Sequence, residues 1–201
     1  MIKKYSKLFE YPTNWKRFLS CLFFSIIEIL AAKMNLFDSL LTKWRKPVLS
    51  REIEMLNIIP SNKVLHLGCG AFPSTSIFIA KEKNIHVVGI DNNYFALKLA
   101  RTYVKKKNLL NLITINYGDG SHYPVQDFDI IYVSINVWPI EKVLFHLAQT
   151  MKPTARILCK GSYQDINALL KKKIIQSQFS VVSKLIYPKI QSFLLIKNVN
   201  V

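Results

Sequence analysis

Six glycines and eight prolines among 201 residues leave no stretch that could serve as a long flexible linker. Cysteine is scarce too: Cys21, Cys69 and Cys159 lie far apart, with no CxxC pair. That excludes a disulfide framework, argues against a zinc site and suits a reducing, cytoplasmic compartment. The four histidines show no ligand spacing, and His66 and His86 fall inside apolar strand patterns as packed or edge residues. No metal is expected. Internal repeats and low-complexity tracts are absent. Acidic residues are few, 12 against 28 Lys and Arg, for a net charge of +16. No apolar run reaches the roughly 20 residues that a membrane-spanning helix needs. What is abundant is apolar side chain, at 50% of the chain, enough for one substantial core and too much for a disordered protein.

The charge is uneven. Residues 1–50 carry nine basic and three acidic residues, 51–151 ten and eight, and 152–201 nine and one. A nearly neutral middle therefore has basic flanks, which suit anionic lipid, an acidic substrate, nucleic acid or simply solvent. Lys105–Lys107 and Lys171–Lys173 read as exposed helix ends, where cations suit the helix dipole. In the first flank, Phe18–Ala32 is apolar except for Ser20, Cys21, Ser25 and Glu28. It reads as a helix packed on the core or on a substrate lid. An interfacial helix flanked by Lys16, Arg17, Lys33, Lys43, Arg45 and Lys46 is a second reading, and an anchor the third. Trp15 and Trp44 bracket the segment, and no small-residue cleavage site follows it.

Beyond residue 50 the pattern alternates. A short helix is expected over 51–58, stopped by Pro60, and strands over 63–67, 85–90, 111–116, 128–134, 156–160, 179–187 and 191–197. Helices are expected over 74–82, 94–107, 139–151 and 163–175. This is the signature of an α/β fold: a doubly wound, mostly parallel seven-stranded sheet with helices on both faces. Ligands of such sheets bind beyond the carboxyl ends of the strands, where Gly68, Asp91, Asp119 and Ser134 all fall.

The densest signal is Val64-Leu65-His66-Leu67-Gly68-Cys69-Gly70-Ala71-Phe72-Pro73-Ser74-Thr75, a strand running into a glycine turn and a helix start. A second apolar run, 85–90, ends in Asp91, 21 residues beyond Gly70. Glycines permit a sharp turn and close backbone approach, and a strand-end carboxylate accepts from two ribose hydroxyls. Pro73 stands where a third glycine would complete G-x-G-x-x-G, so a nucleoside fits better than a dinucleotide. An ordinary glycine turn with a solvated Asp91 is the plain alternative.

In this order the segments resemble the class I S-adenosylmethionine-dependent methyltransferases. Leu65–Gly70 resembles their first motif and Asp91 their ribose-binding acid. Asn116-Tyr117-Gly118-Asp119-Gly120 resembles the loop whose Asp contacts the adenine amino group. Asp127–Val133 resembles the fourth strand. Leu147–Pro153 with Arg156-Ile157-Leu158 resembles the helix and fifth strand around an "LKPGG" turn, whose glycines are replaced here by Thr154 and Ala155. The resemblance implies a Rossmann-like methyltransferase fold over 51–201, behind an N-terminal helical extension over 1–50. It implies S-adenosyl-L-methionine as cofactor, held by Leu67, Gly68, Cys69, Gly70, Pro73, Thr75, Asp91, Asn92, Asp119, Gly120 and Ser134.

Two narrower likenesses are present. Gly118-Asp119-Gly120-Ser121, with Tyr123-Pro124, is similar to the loop of protein isoaspartyl methyltransferases. Gly68-x-Gly70-x-x-Pro73-x-Thr75-x-Ile77 resembles nicotianamine-synthase-like enzymes, which transfer the aminocarboxypropyl group of the same cofactor. A proline also suits a helix start for its fixed φ alone. Asn136-Val137-Trp138-Pro139 lacks the paired prolines of amino methyltransferases acting on bases, and no Pro-Cys dipeptide supports cytosine chemistry. Nucleic acid is therefore the least supported partner. His122 and Tyr123 are candidates for the acceptor side, and no residue is assigned as acid or base. The expectation is methyl transfer to a small-molecule or lipid acceptor by a cytoplasmic protein, with peripheral membrane contact through the N-terminal helix. Aminocarboxypropyl transfer and a non-catalytic cofactor-fold subunit are the alternatives.

Overall fold

The computed structural model describes residues 26–27, 29–30, 35–188 and 190–198. The segment Phe18–Ala32, with its lid, interface and anchor readings, lies outside them except at 26–27 and 29–30, which are helical. The elements begin with α1 (Asn35–Leu56), β1 (Val64–Leu67), α2 (Ser74–Lys83), β2 (Val87–Asp91), α3 (Tyr94–Lys106) and β3 (Ile113–Tyr117). They continue with β4 (Ile130–Val133), α4 (Ile140–Thr150), β5 (Arg156–Gly161), α5 (Tyr163–Leu170), α6 (Lys173–Gln178), β6 (Phe179–Ile186) and β7 (Gln191–Lys197).

The seven strands form one sheet in the order β3-β2-β1-β4-β5-β7-β6. The first five are parallel, and β7 is antiparallel to both β5 and β6. Strand alternation divides the core. Val64, Ile130, Tyr132, Leu158 and Leu194 pack on one face against Leu49, Ile53 and Leu56 of α1, Ile79 of α2 and Leu97 of α3. Leu65, Leu67, Ile131, Val133, Ile157 and Phe193 pack on the other against Leu144 and Leu147 of α4, Leu169 of α5 and Ile175 of α6. Chain direction turns away from β1 on both sides, so the tips of β1, β2 and β4 frame the crevice where such sheets bind ligands.

Two helices depart from the sequence expectation. The helix expected over 51–58 is the end of the 22-residue α1, which runs straight through position 50. Pro47 inside it removes one helical hydrogen bond, yet the helix continues because Leu49, Ile53 and Leu56 keep one face buried. The helix expected over 163–175 is broken at Lys171–Lys172. Nine residues at 100° each would turn Ile175 to the side opposite Ile166. The break lets both reach the core. Three helices on the α1 side each hand over to an asparagine in the left-handed region, Asn57, Asn84 and Asn108, with φ of 45°, 50° and 55°. This is the ordinary helix stop for a residue whose short amide tolerates that conformation.

Candidate functional site

The glycine turn follows β1 directly. Gly68 and Gly70 have φ of +72° and +67°, the left-handed region where other residues are strained. A Cβ on Gly68 would stand 2.6 Å from Val137 Cγ2 and 3.5 Å from Ser134 Cβ. The turn is thus pressed against the loop leaving β4. The N–H groups of Gly68 and Cys69 both donate to the Ile90 carbonyl at 2.9 Å. The Gly70 N–H donates to Asp91 Oδ2 at 2.9 Å, while Oδ1 accepts from the Asn93 N–H at 2.9 Å. Asp91 therefore fixes the turn as well as facing the crevice. Burial holds its carboxyl above the usual carboxylate range, partly offset by these backbone donors.

The other residues expected at the site are placed as follows. Leu67 is fully buried, and its carbonyl accepts from the Ser134 N–H at 3.1 Å. Gly120 lies over it, since a Cβ there would meet Leu67 Cδ1 at 3.4 Å. The β3 loop thereby closes onto the tip of β1. Asp119 is exposed, and its Oδ1 accepts from both the backbone N–H (2.8 Å) and the hydroxyl (2.7 Å) of Ser121. Asn92 is exposed beside Asp91. Pro73 is the N-cap of α2, with φ −76°. Cys69 and Thr75 are buried. Gly68, Gly70, Asp91, Gly120 and Ser134 are thus brought together. Thr75 points into the core, and Asp119 holds its own loop.

Beneath the turn lies a polar network that the sequence reading did not pick out. His66, on β1, bridges the Ser134 hydroxyl (Nε2, 2.7 Å) and the Ser76 hydroxyl (Nδ1, 2.8 Å). Burial lowers its pKa to about 3, helped by the charges of Arg45 and Lys160, so the ring is neutral at physiological pH. Its edge meets the Tyr132 ring at 5.3 Å. The Tyr132 hydroxyl donates to Glu52 Oε2 at 2.6 Å, and Ser192 donates to Glu52 Oε1 at 2.5 Å. Lys160 pairs with the same carboxylate at 2.8 Å. Glu52 has no exposed surface. The one sequence signal was an acid amid the apolar positions of the 51–58 helix.

A ribose diol suits this crevice: it offers two donors to the Asp91 carboxylate, and the side-chain-free Gly68 and Gly70 permit close approach. Residues 64–154 match the family model for a methyltransferase domain. Demethylmenaquinone methyltransferase of Lactiplantibacillus plantarum is 28% identical over 148 residues, covering 69% of this chain and 60% of that protein. Over residues 64–154 the chain is thus similar to methyltransferase domains. Sterol 24-C-methyltransferase of Schizosaccharomyces pombe is 27% identical over 103 residues, covering 49% of this chain and 27% of that protein. The chain thus spans 60% or less of the length of these curated relatives. Among solved structures, an MtNAS variant in complex with S-adenosylmethionine shares the fold, with TM-score 0.75 and 15% identity over 90% of this chain and 76% of the other.

The methyltransferase family uses S-adenosylmethionine. We predict that Gly70→Val abolishes its binding, because a β-branched residue is a strong outlier at φ +67°. Circular dichroism separates the outcomes: retained helix content with no calorimetric binding is expected, whereas an unfolded variant would give Gly70 a packing role instead.

Proposed function

We propose that this chain is an S-adenosylmethionine-dependent methyltransferase acting on a small-molecule or lipid acceptor. The carrying observation is the Asp91 carboxylate locked at once to the Gly70 and Asn93 N–H groups, in a crevice that β4 closes through Ser134. The bound cofactor supplies an electrophilic methyl group on a sulfonium. With the cofactor bound, a nucleophilic atom of the acceptor would take that methyl group, and the electron pair of the carbon–sulfur bond would remain on sulfur.

Little covalent help is needed from the protein, so alignment supplies much of the rate. In this reading Asp91 holds the ribose and Gly120 leaves room above Leu67. The neutral His66 fixes the Ser134 hydroxyl at the rim, where the acceptor approaches. A groove of about 800 Å³ beside the Asp119 loop, lined by Ser121, His122, Phe145 and His146 among others, is open to an acceptor. Phe145 is 49% exposed there, an apolar surface that suits a lipid-like or aromatic molecule. The activities named for the quinone and sterol relatives point the same way.

The Pro73-Ser74-Thr75 helix start favours a second reading, transfer of the aminocarboxypropyl group from the same cofactor. Incubation with S-adenosylmethionine and a cell extract, followed by mass spectrometry, tests both. S-adenosylhomocysteine with a gain of one CH₂ on an extract component is expected. Methylthioadenosine above a protein-free control would establish the second reading. Tight cofactor binding with neither product would make the chain a binding subunit.

A further inference from the structure

Another cleft among the described residues lies behind the glycine turn. It has a volume of about 500 Å³ between α1, α2 and the end of α3. Lys43 and Lys46 of α1, Lys81 of α2 and Lys107 beyond α3 line it, with Glu82 as their one acidic neighbour in the lining. Its floor is aromatic: Phe72 and Tyr103 are buried and meet edge to face at 5.0 Å. Lys107 Nζ stands 5.3 Å from the Tyr103 ring centroid. Four ammonium groups over an apolar floor complement an anionic head carried on an apolar body.

The rim supplies the second observation. Leu40 and Trp44, one helical turn apart on α1, are 62% and 82% exposed. At 100° per residue they form the outer ridge of the helix, opposite Leu49 and Leu56 in the core. Lys43 and Lys46 lie between the two, on the flank that lines the cleft. A small soluble anion would gain nothing from an exposed Leu–Trp ridge. A bilayer surface would, because tryptophan and leucine insert at the headgroup level while lysines extend to phosphate.

We propose that this cleft seats the phosphate of an anionic phospholipid, docking the α1 ridge on an acidic membrane surface. Electrostatic attraction by cleft lysines, which falls off within about one Debye length of the surface, adds to burial of the ridge on contact. The docking goes beyond methyl transfer and requires none.

Sedimentation of the full chain with vesicles of phosphatidylcholine, alone or with phosphatidylglycerol, tests this. Binding is expected only with the anionic lipid. Combined Lys43→Glu, Lys46→Glu and Lys81→Glu should weaken it at least tenfold, and so should Trp44→Ser. An equal change of charge elsewhere on the surface, Lys171→Glu, Lys173→Glu and Lys184→Glu, should change it by less than twofold. Equal losses from the two triples would reduce the effect to diffuse charge and overturn the site. So would equal binding to both kinds of vesicle. Inorganic phosphate bound by the cleft without vesicle binding would make it a soluble-anion site and also overturn the proposal. Calorimetric affinity for S-adenosylmethionine, measured on every variant, separates misfolding from lost docking. The glutamine versions of the cleft lysines serve if charge reversal unfolds the protein. Docking without turnover would leave this inference standing while the methyltransferase reading failed.

Discussion

Glu52→Ala is expected to lower the thermal midpoint by roughly 10 °C, corresponding to about 3 kcal/mol for a chain of this size. The carboxylate is wholly buried, and three groups converge on it: Tyr132, Ser192 and Lys160. Removing it strands two hydroxyls and an ammonium that is only 15% exposed. An unpaired buried charge costs more than the lost pair was worth, which is why truncating one partner has so large an effect. Glu52→Gln keeps the volume and an acceptor, so its loss should be smaller. Lys160 sits next to last on β5 and, being 15% exposed, can partly turn to solvent, which bounds the effect from above. Differential scanning calorimetry gives the answer directly. A midpoint unchanged within a degree would mean that the network contributes nothing net.

Asp91→Ala should weaken S-adenosylmethionine binding by about ten- to a hundredfold, the loss of two charge-assisted hydrogen bonds to ribose. A second contribution comes from the turn itself, since the Gly70 N–H loses its acceptor. Burial raises the Asp91 pKa, so protonation begins at a higher pH than for a free aspartate. The charged form is the acceptor for ribose. Affinity should therefore fall as pH drops through that raised value, while Asp91→Ala should lose this acid limb. His66, with a pKa of about 3, adds no titration near neutrality. Isothermal calorimetry across pH checks both statements. Unchanged affinity in the variant would remove Asp91 from the ribose role.

How much of this was legible in the sequence depended on distance along the chain. Each strand was visible as an apolar run with its own punctuation, and Asp91 and the glycines lie within one β-α-β unit. The α1 helix was not, because Pro47 and the basic cluster around it imitate a boundary, and only the buried Leu49 and Ile53 show the continuity. The break at Lys171–Lys172 was hidden in the same way: a continuous helical pattern does not reveal that Ile175 must face back to the core. The Glu52 network was beyond reach. Ser192 lies 140 positions from Glu52, and no local rule joins them. For the candidate site, the sequence placed Gly68, Asp91 and Ser134 at strand tips, and the structure sets those tips side by side. Side-chain direction sets two others apart, sending Thr75 inward and tying Asp119 to Ser121.

The strand latest in the sequence occupies an interior place in the sheet: β7 lies between β5 and β6. On a ribosome α1 emerges long before β7. Glu52 must then wait for Ser192, the most distant of its three partners, before its shell is complete. Until then β5 offers an open edge along Arg156–Gly161, which only β7 covers in the finished sheet. Nascent chains stalled before residue 191 are therefore sticky and carry a carboxylate with an incomplete shell, a combination that favours capture by chaperones or degradation. Entry of β7 and completion of this core are thus one event, so a chain cut before residue 191 should fail to accumulate as soluble protein.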